Sequence, residues 1–201
     1  MSMFDEKAQE WDTPERQERA RAVAQVIREH VTLSTSMRVI DIGAGTGLLG
    51  LELASHVGSM VLAEPSAGML EVARQKLAGS GPANATAIEF DLPAEPPPGA
   101  PFDLAVSLLM LHHVEDTQAV LSSIHALLAP DGRMALLDLD SEDGSFHDED
   151  AEGIHHHGFD QAEIVRLAES AGFEGVETRI VYEVERDGRS YPLFLLIGRR
   201  P

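Results

Sequence analysis

The chain contains no cysteine, which excludes disulfides, thiolate metal sites and a thiol nucleophile. Cations are scarce as well: 15 lysines and arginines stand against 34 aspartates and glutamates, the formal net charge is −19, and lysine occurs only at Lys7 and Lys76. A nucleic-acid binder needs a basic stripe to displace counterions from phosphates. Arg199 and Arg200 at the C-terminal end are too few for that, so nucleic acid is not expected as a partner and a small-molecule substrate is favoured. The acidity reads as a solubilising surface. No apolar run reaches membrane-spanning length, Leu104 to Leu111 being the longest clear one. The polar, acidic stretch Met1 to Glu10 is unlike a targeting peptide. The expectation is a soluble, cytoplasmic protein with no membrane association. At 201 residues and 43% hydrophobic content, a single domain over 1–201 with one core is expected, and no signal of an oligomeric state is present.

What the sequence does carry is organised around Val39-Ile40-Asp41-Ile42-Gly43-Ala44-Gly45-Thr46-Gly47. An apolar, β-branched run from Met37 to Ile42 stops at glycines, and Leu48, Leu49, Leu51, Leu53 and Ala54 then repeat with helical spacing. Strand, tight loop and helix in that order are how a parallel sheet presents backbone to a nucleotide. Glycine permits close approach and positive φ, and the helix start offers unpaired N–H groups. Asp41 is a carboxylate at the end of a buried strand, where an ionised group requires a partner. Two registers compete. Gly45-Thr46-Gly47-Leu48-Leu49-Gly50 is a G-x-G-x-x-G dinucleotide fingerprint; Asp41-x-Gly43-x-Gly45-x-Gly47 fits the strand end better.

Along the chain, Phe4, Ala8 and Trp11 form an apolar stripe that either docks on the core or roofs a ligand. Thr13-Pro14 starts a helix to about His30 that buries Ala20, Val23, Ala24 and Ile27. A second buried strand, Ser59 to Glu64, ends in a carboxylate about 20 residues past the loop, where a ribose-binding acid is expected. Ser66 caps the helix that follows, to about Ala78. A third strand, Ala85 to Phe90, ends at Asp91-Leu92 and leads into an irregular proline-rich connection, Pro93 to Pro101. The fourth strand, from Phe102, runs into Met110-Leu111-His112-His113-Val114. Asp116 or Thr117 caps a helix to Ala129, Pro130-Asp131-Gly132 is read as the turn ending it, and Arg133 to Asp140 is the fifth strand. Residues 141–158 form an acidic, histidine-dense loop, of a length that is usually functional or disordered. A helix from Asp160 to Ala171 precedes strands Val176–Val184 and Tyr191–Gly198, joined at Asp187-Gly188, a strong hairpin signal. Strands alternating with helices imply a parallel sheet wound on both faces, closed here by an antiparallel pair.

Several stretches, in order, resemble the class I S-adenosylmethionine (SAM)-dependent methyltransferases of the small-molecule, quinone-biosynthesis type. They are Phe4-Asp5-x-x-Ala8-x-x-Trp11-Asp12, Asp41-x-Gly43-x-Gly45-x-Gly47, Glu64-Pro65-Ser66-x-x-Met69-Leu70 and Asp91-Leu92-Pro93. Phe102-Asp103-Leu104 through Leu111-His112, Leu127-Leu128-Ala129-Pro130-Asp131-Gly132-Arg133 and Gly158-Phe159-x-x-x-Glu163-Ile164 through Ala171-Gly172-Phe173 follow. The resemblance implies an α/β, Rossmann-like, doubly wound, mostly parallel seven-stranded sheet of order 3-2-1-4-5-7-6, with strand seven antiparallel. It implies SAM as methyl donor, S-adenosylhomocysteine as product and a small-molecule methyl acceptor. Gly43, Ala44, Gly45 and Gly47 would let the methionine moiety approach, with Asp41 near its ammonium. Glu64 would hold the ribose, Pro65 and Met69 would wall the adenine, Asp91 and Leu92 would hydrogen-bond it, and Ser107 and Leu108 would line the sulfonium. Trp11 would cover the ligand.

A general base helps where the acceptor must lose a proton, and His112 and His113 at the fourth strand's exit are the candidates, set against a capping or packing role. His147 and the triplet His155-His156-His157 suit a lid that supplies a base, His157 above all. A solvated loop comes second and a metal site third, since adjacent histidines cannot converge on one ion; no metal is expected. Two alternatives stay open: an NAD(P)-dependent oxidoreductase using the Gly45–Gly50 register, and a SAM-binding protein without transferase activity.

Overall fold

The computed structural model describes residues 3–92, 101–147, 151 and 153–201. The proline-rich connection, apart from Pro101, and part of the histidine-dense loop lie outside the described residues. Seven strands form one sheet: β1 (Arg38–Ile42), β2 (Ser59–Glu64), β3 (Ala85–Glu89), β4 (Phe102–Leu108), β5 (Leu128–Leu139), β6 (Glu174–Arg186) and β7 (Arg189–Arg199). Their order is β3-β2-β1-β4-β5-β7-β6. β1 to β5 pair in parallel, and β7 runs antiparallel to both β5 and β6. This is the expected topology.

The sheet holds because its central strands are apolar on both faces. Val39 of β1 and Leu104 and Val106 of β4 pack to one side with Val23 and Ile27 of α2 (Pro14–His30) and Leu49 and Leu53 of α3 (Leu48–Ala54). Ile40 and Ala105, one residue along, turn to the other side against Leu121 and Ile124 of α5 (Thr117–Leu127) and Ile164 of α6 (Gln161–Ser170). The period of two thus fills two cores from the same strands. Helix starts follow side-chain caps: Thr13 accepts from Arg16 N, with Pro14 in the first turn, Ser66 from Met69 N, Asp116 from Ala119 N and Asp160 from Glu163 N. Of the two candidate caps for α5, Asp116 serves.

Three boundaries differ from expectation. Pro130-Asp131-Gly132 is no helix-ending turn, because α5 stops at Leu127 and β5 begins at Leu128. Asp131 N donates to Arg200 O and Arg200 N to Gly132 O, so the chain's last residues draw this segment into the sheet. The terminal hairpin is longer than its apolar stretch, since the polar pairs Glu185–Ser190 and Arg186–Arg189 extend the ladder to the Asp187-Gly188 turn, where both residues have positive φ. The helix after Ser66, α4 (Ala67–Ser80), continues two residues past Ala78. Among the described residues no helix is long and apolar enough to cross a membrane.

Phe194, fully buried between the sheet and α6 side, is expected to cost about 3–5 kcal/mol on truncation to alanine. Urea unfolding of Phe194→Ala checks this, with Ile180→Ala, 44% exposed, as a control that changes little.

Candidate functional site

At the C-terminal edge of the parallel strands lies a cavity of about 560 Å³. Parallel strands bring their ends to one edge, and here three of those ends carry carboxylates that border the cavity: Asp41, Glu64 and Asp91. Asp41 is 1% exposed and its Oδ2 accepts from Gly50 N at 2.9 Å. Burial pushes its carboxyl up to about 7, against the pull of the Gly50 amide, and the nearby Glu64 charge adds to the rise. A Cβ at residue 50 would fall 2.3 Å from Leu62 Cδ2 and 2.9 Å from Asp41 Oδ2, so only glycine lets α3 bring this amide to the carboxylate. Glu64 Oε2 accepts from Gly45 N at 2.7 Å and its Oε1 from Ser66 N at 2.9 Å. Burial raises its pKa and those two amides oppose the rise.

The glycine loop presents bare backbone here. Gly45 has φ 56°, and a Cβ there would meet nothing closer than Trp11 Nε1 at 3.8 Å. Gly43, Ala44, Pro65, Met69, Leu92 and Leu108 also border the cavity. Gly47 and Ser107 do not line it. Gly47 is the left-handed N-cap of α3, φ 85°, and Ser107 is fully buried in β4 with its Oγ unpartnered.

The N-terminal stripe covers the cavity. α1 (Met3–Lys7) and the 3₁₀ turn Ala8–Glu10 are fastened where Asp5 Oδ1 accepts from Ser66 Oγ at 2.7 Å and Gly68 N at 2.9 Å. Phe4 sits edge-on to both Trp11 and His113, with ring centroids 5.8 and 5.1 Å away. Behind Trp11 stand two cations the sequence reading missed. The Arg16 guanidinium lies 3.9 Å over the Trp11 ring and Arg19 lines the cavity. Burial lowers the pKa of both, and the buried Arg19 Nε has no hydrogen-bond partner. Their three-residue spacing beside the buried Ala20 was the available signal.

The far end is built from histidines. β4 leaves the sheet through Leu109, which has φ 57°, a costly conformation for leucine, into the 3₁₀ turn Leu111–His113. His113 borders the cavity and its Nδ1 lies 2.9 Å from Gly153 O. Burial first, then His112, pushes its pKa down to about 4. His112 does not reach the cavity. It is 1% exposed and its Nδ1 donates to Asp138 Oδ1 at 2.7 Å, while Asp138 Oδ2 accepts from Leu111 N at 2.7 Å. Burial opposes ionisation of Asp138, but His112 and the amides of Leu139 and Leu111 outweigh it and hold the carboxyl low. The sequence reading missed Asp138, which comes beside His112 only when β5 pairs with β4.

The triplet divides, as adjacent residues must. His155 N and His156 N donate to His112 O, and His156 Nε2 lies 2.9 Å from Val114 O; these residues brace the turn. His157, expected as a base, is not brought to the cavity: its largely exposed ring lies 3.5 Å from Glu142 Oε1. His147 packs instead against His112 and His113, with its pKa pushed down to about 4 by burial and then by those two rings.

Asp41 fixes a pH dependence. Its folded pKa of about 7 exceeds its ordinary 3.8, so the folded chain holds a proton that the unfolded chain releases. The associated stability is fully present below 3.8 and is lost as pH rises to about 7, at up to about 1.4 kcal/mol per pH unit. Between pH 5 and 8, the unfolding free energy of the ligand-free chain should therefore fall more steeply with pH than that of Asp41→Asn. Parallel curves from denaturant titrations would contradict this.

A family model described as "Methyltransferase domain" matches residues 15–178. An uncharacterised methyltransferase of Mycobacterium tuberculosis is 33% identical over 99 residues, 49% of each chain. A ubiquinone/menaquinone biosynthesis C-methyltransferase of a Marinomonas species is 35% identical over 104 residues, 50% of this chain and 41% of that one. The chain spans about half the length, or less, of these relatives. Among solved structures, a SAM-dependent methyltransferase from Aquifex aeolicus shares the fold with a TM-score of 0.74 at 18% identity, over 98% of both chains. The family model matches most of the chain, on a sheet of this order with its seventh strand reversed: the chain belongs to the methyltransferase-domain family and has the fold of the class I SAM-dependent methyltransferases.

Proposed function

We propose that this chain transfers the methyl group of SAM to a small-molecule acceptor. One observation carries the reading. Three carboxylates end three adjacent parallel strands around a cavity into which the backbone at Gly45 faces bare. SAM offers a matching set of groups: an ammonium for Asp41, ribose hydroxyls for Glu64 and an adenine amine for Asp91. Pro65 and Met69 would wall the adenine and Leu92 N–H would meet its ring. Gly43, Ala44 and Gly45 would let the methionine moiety lie against the backbone. Its carboxylate needs a cation, and Arg19, with its Nε unpartnered, supplies one. Leu108 at the β4 tip would stand by the sulfonium.

In the transfer, a lone pair of the acceptor attacks the methyl carbon, and the breaking C–S bond leaves its electrons on sulfur. The sulfonium becomes the neutral thioether of S-adenosylhomocysteine, and any proton on the attacking atom departs to solvent. Such a displacement needs no covalent enzyme intermediate, so rate comes from alignment and exclusion of water. The acceptor would enter beside Met110, His113 and Val114, beneath Phe4 and Trp11. A small acceptor is supported by the size of this covered space, by the scarcity of basic residues and by the quinone-pathway relative.

Addition of SAM should change the emission of Trp11, the single tryptophan. Glu64→Gln should weaken the binding read from that signal by at least about ten-fold, the scale of losing charge-assisted hydrogen bonds. Equal affinity in the variant would remove Glu64 from the donor site.

A further inference from the structure

Three imidazoles converge behind the cavity wall, where His113 alone of the three borders the cavity. One ring nitrogen each of His112, His113 and His147 lies within 4.8 Å of one from each of the others. Neighbouring acceptors set two tautomers. The Asp138 carboxylate accepts a hydrogen bond from His112 Nδ1–H and the Gly153 carbonyl one from His113 Nδ1–H, which leaves the lone pair of each neutral ring on Nε2. The Nε2 atoms of His112 and His147 are buried with no hydrogen-bond partner. Unsatisfied buried polar atoms are rare in folded proteins and require an explanation. Two in one cluster, among rings whose centroids are 4.1 to 5.7 Å apart, point to a shared partner, and at His112 that partner meets a lone pair.

We infer that His112, His113 and His147 form a binding site for a first-row divalent transition-metal ion, with Zn²⁺ as the simplest occupant. Imidazole nitrogens suit such ions, whereas Mg²⁺ and Ca²⁺ take oxygen ligands, and a chain without cysteine has no thiolate to compete. The Asp138–His112 pair is the carboxylate–imidazole arrangement that orients metal-binding histidines. Three protein ligands are the number that leaves a coordination position open. Because His113 also borders the cavity, the ion stands where the proposed acceptor enters. Its meaning for the reaction rests on the methyl-transfer reading, while the existence of the site does not. The competing use of the same lone pairs is proton transfer through the His112–Asp138 dyad, without metal.

The test uses the full chain, stripped with a chelator and titrated with Zn²⁺ against a chromogenic indicator, then with Co²⁺ for its visible spectrum. One ion per chain is expected. His113→Ala and His147→Ala should each weaken binding by at least about ten-fold. Asp138→Asn, a positioning change, should weaken it about 10- to 100-fold and alter the Co²⁺ spectrum. His157→Ala should leave affinity unchanged, and circular dichroism melts confirm that each variant is folded. His112 is left intact because it is buried. Failure to bind one equivalent, or full affinity in His147→Ala, overturns the inference in favour of the metal-free dyad. SAM binding measured on the same samples separates the two claims: SAM bound without metal refutes only the metal site, and metal bound without SAM refutes only the donor reading.

Discussion

Asp41 is a carboxylate taken out of water at the tip of a central strand, where its Oδ2 accepts from one backbone amide, that of Gly50. That single contact ties the first strand to the helix that follows, and the glycine loop is held open between them. It is an incomplete solution for a charge, which is why burial drives the group towards protonation near neutrality. The neighbouring strands surround it with further consequences of the same topology. β2 brings Glu64, whose two oxygens hold the loop at Gly45 and the next helix at Ser66. β4 brings the turn that carries the histidines. Parallel pairing of β1 to β5 places all these tips on one edge, so a single cavity collects them.

The cavity is electrically divided. Carboxylates occupy the strand tips, while Arg16, Arg19 and His113, whose pKa burial pushes down to about 4, occupy the helix and turn opposite. On a chain of net charge −19, guanidiniums facing inward act locally rather than through the overall field. The division matches a zwitterionic donor at one end, and it leaves the histidine end for a second molecule. Phe4 links the two, since its ring touches both Trp11 over the glycine loop and His113 beyond it. A displacement along this segment would be felt at both ends.

What was legible in the sequence was local. Strand tips marked by Asp41, Glu64 and Asp91, the caps Thr13, Ser66 and Asp160, and the Asp187-Gly188 hairpin each declare themselves within a few residues, through periodicity or backbone chemistry. What was not legible depends on pairing across the sheet or packing between distant segments. Asp138 meets His112 only through β4–β5 pairing, His147 joins them from the following loop, and Arg200 converts an apparent turn at Pro130 to Gly132 into strand. Motif membership also says less than position. Gly47 and Ser107 belong to the expected donor pattern yet stand behind the cavity wall, because one caps a helix and the other faces the core. His157 belongs to the conspicuous triplet but turns outward to Glu142.

The central claim is that the strand-tip carboxylates hold the ammonium and ribose ends of a sulfur nucleoside, and calorimetry tests it most directly. The ligand-free chain would be titrated at about pH 6.5 with S-adenosylhomocysteine and, separately, with NADH, each in two buffers of different ionisation heat. The account predicts saturable binding of the sulfur nucleoside with a buffer-dependent heat that reports proton release, because an ammonium beside Asp41 favours its charged form. It predicts no binding of NADH. Binding of NADH, or binding of the nucleoside with no proton released, would contradict the account of Asp41 and the site built around it.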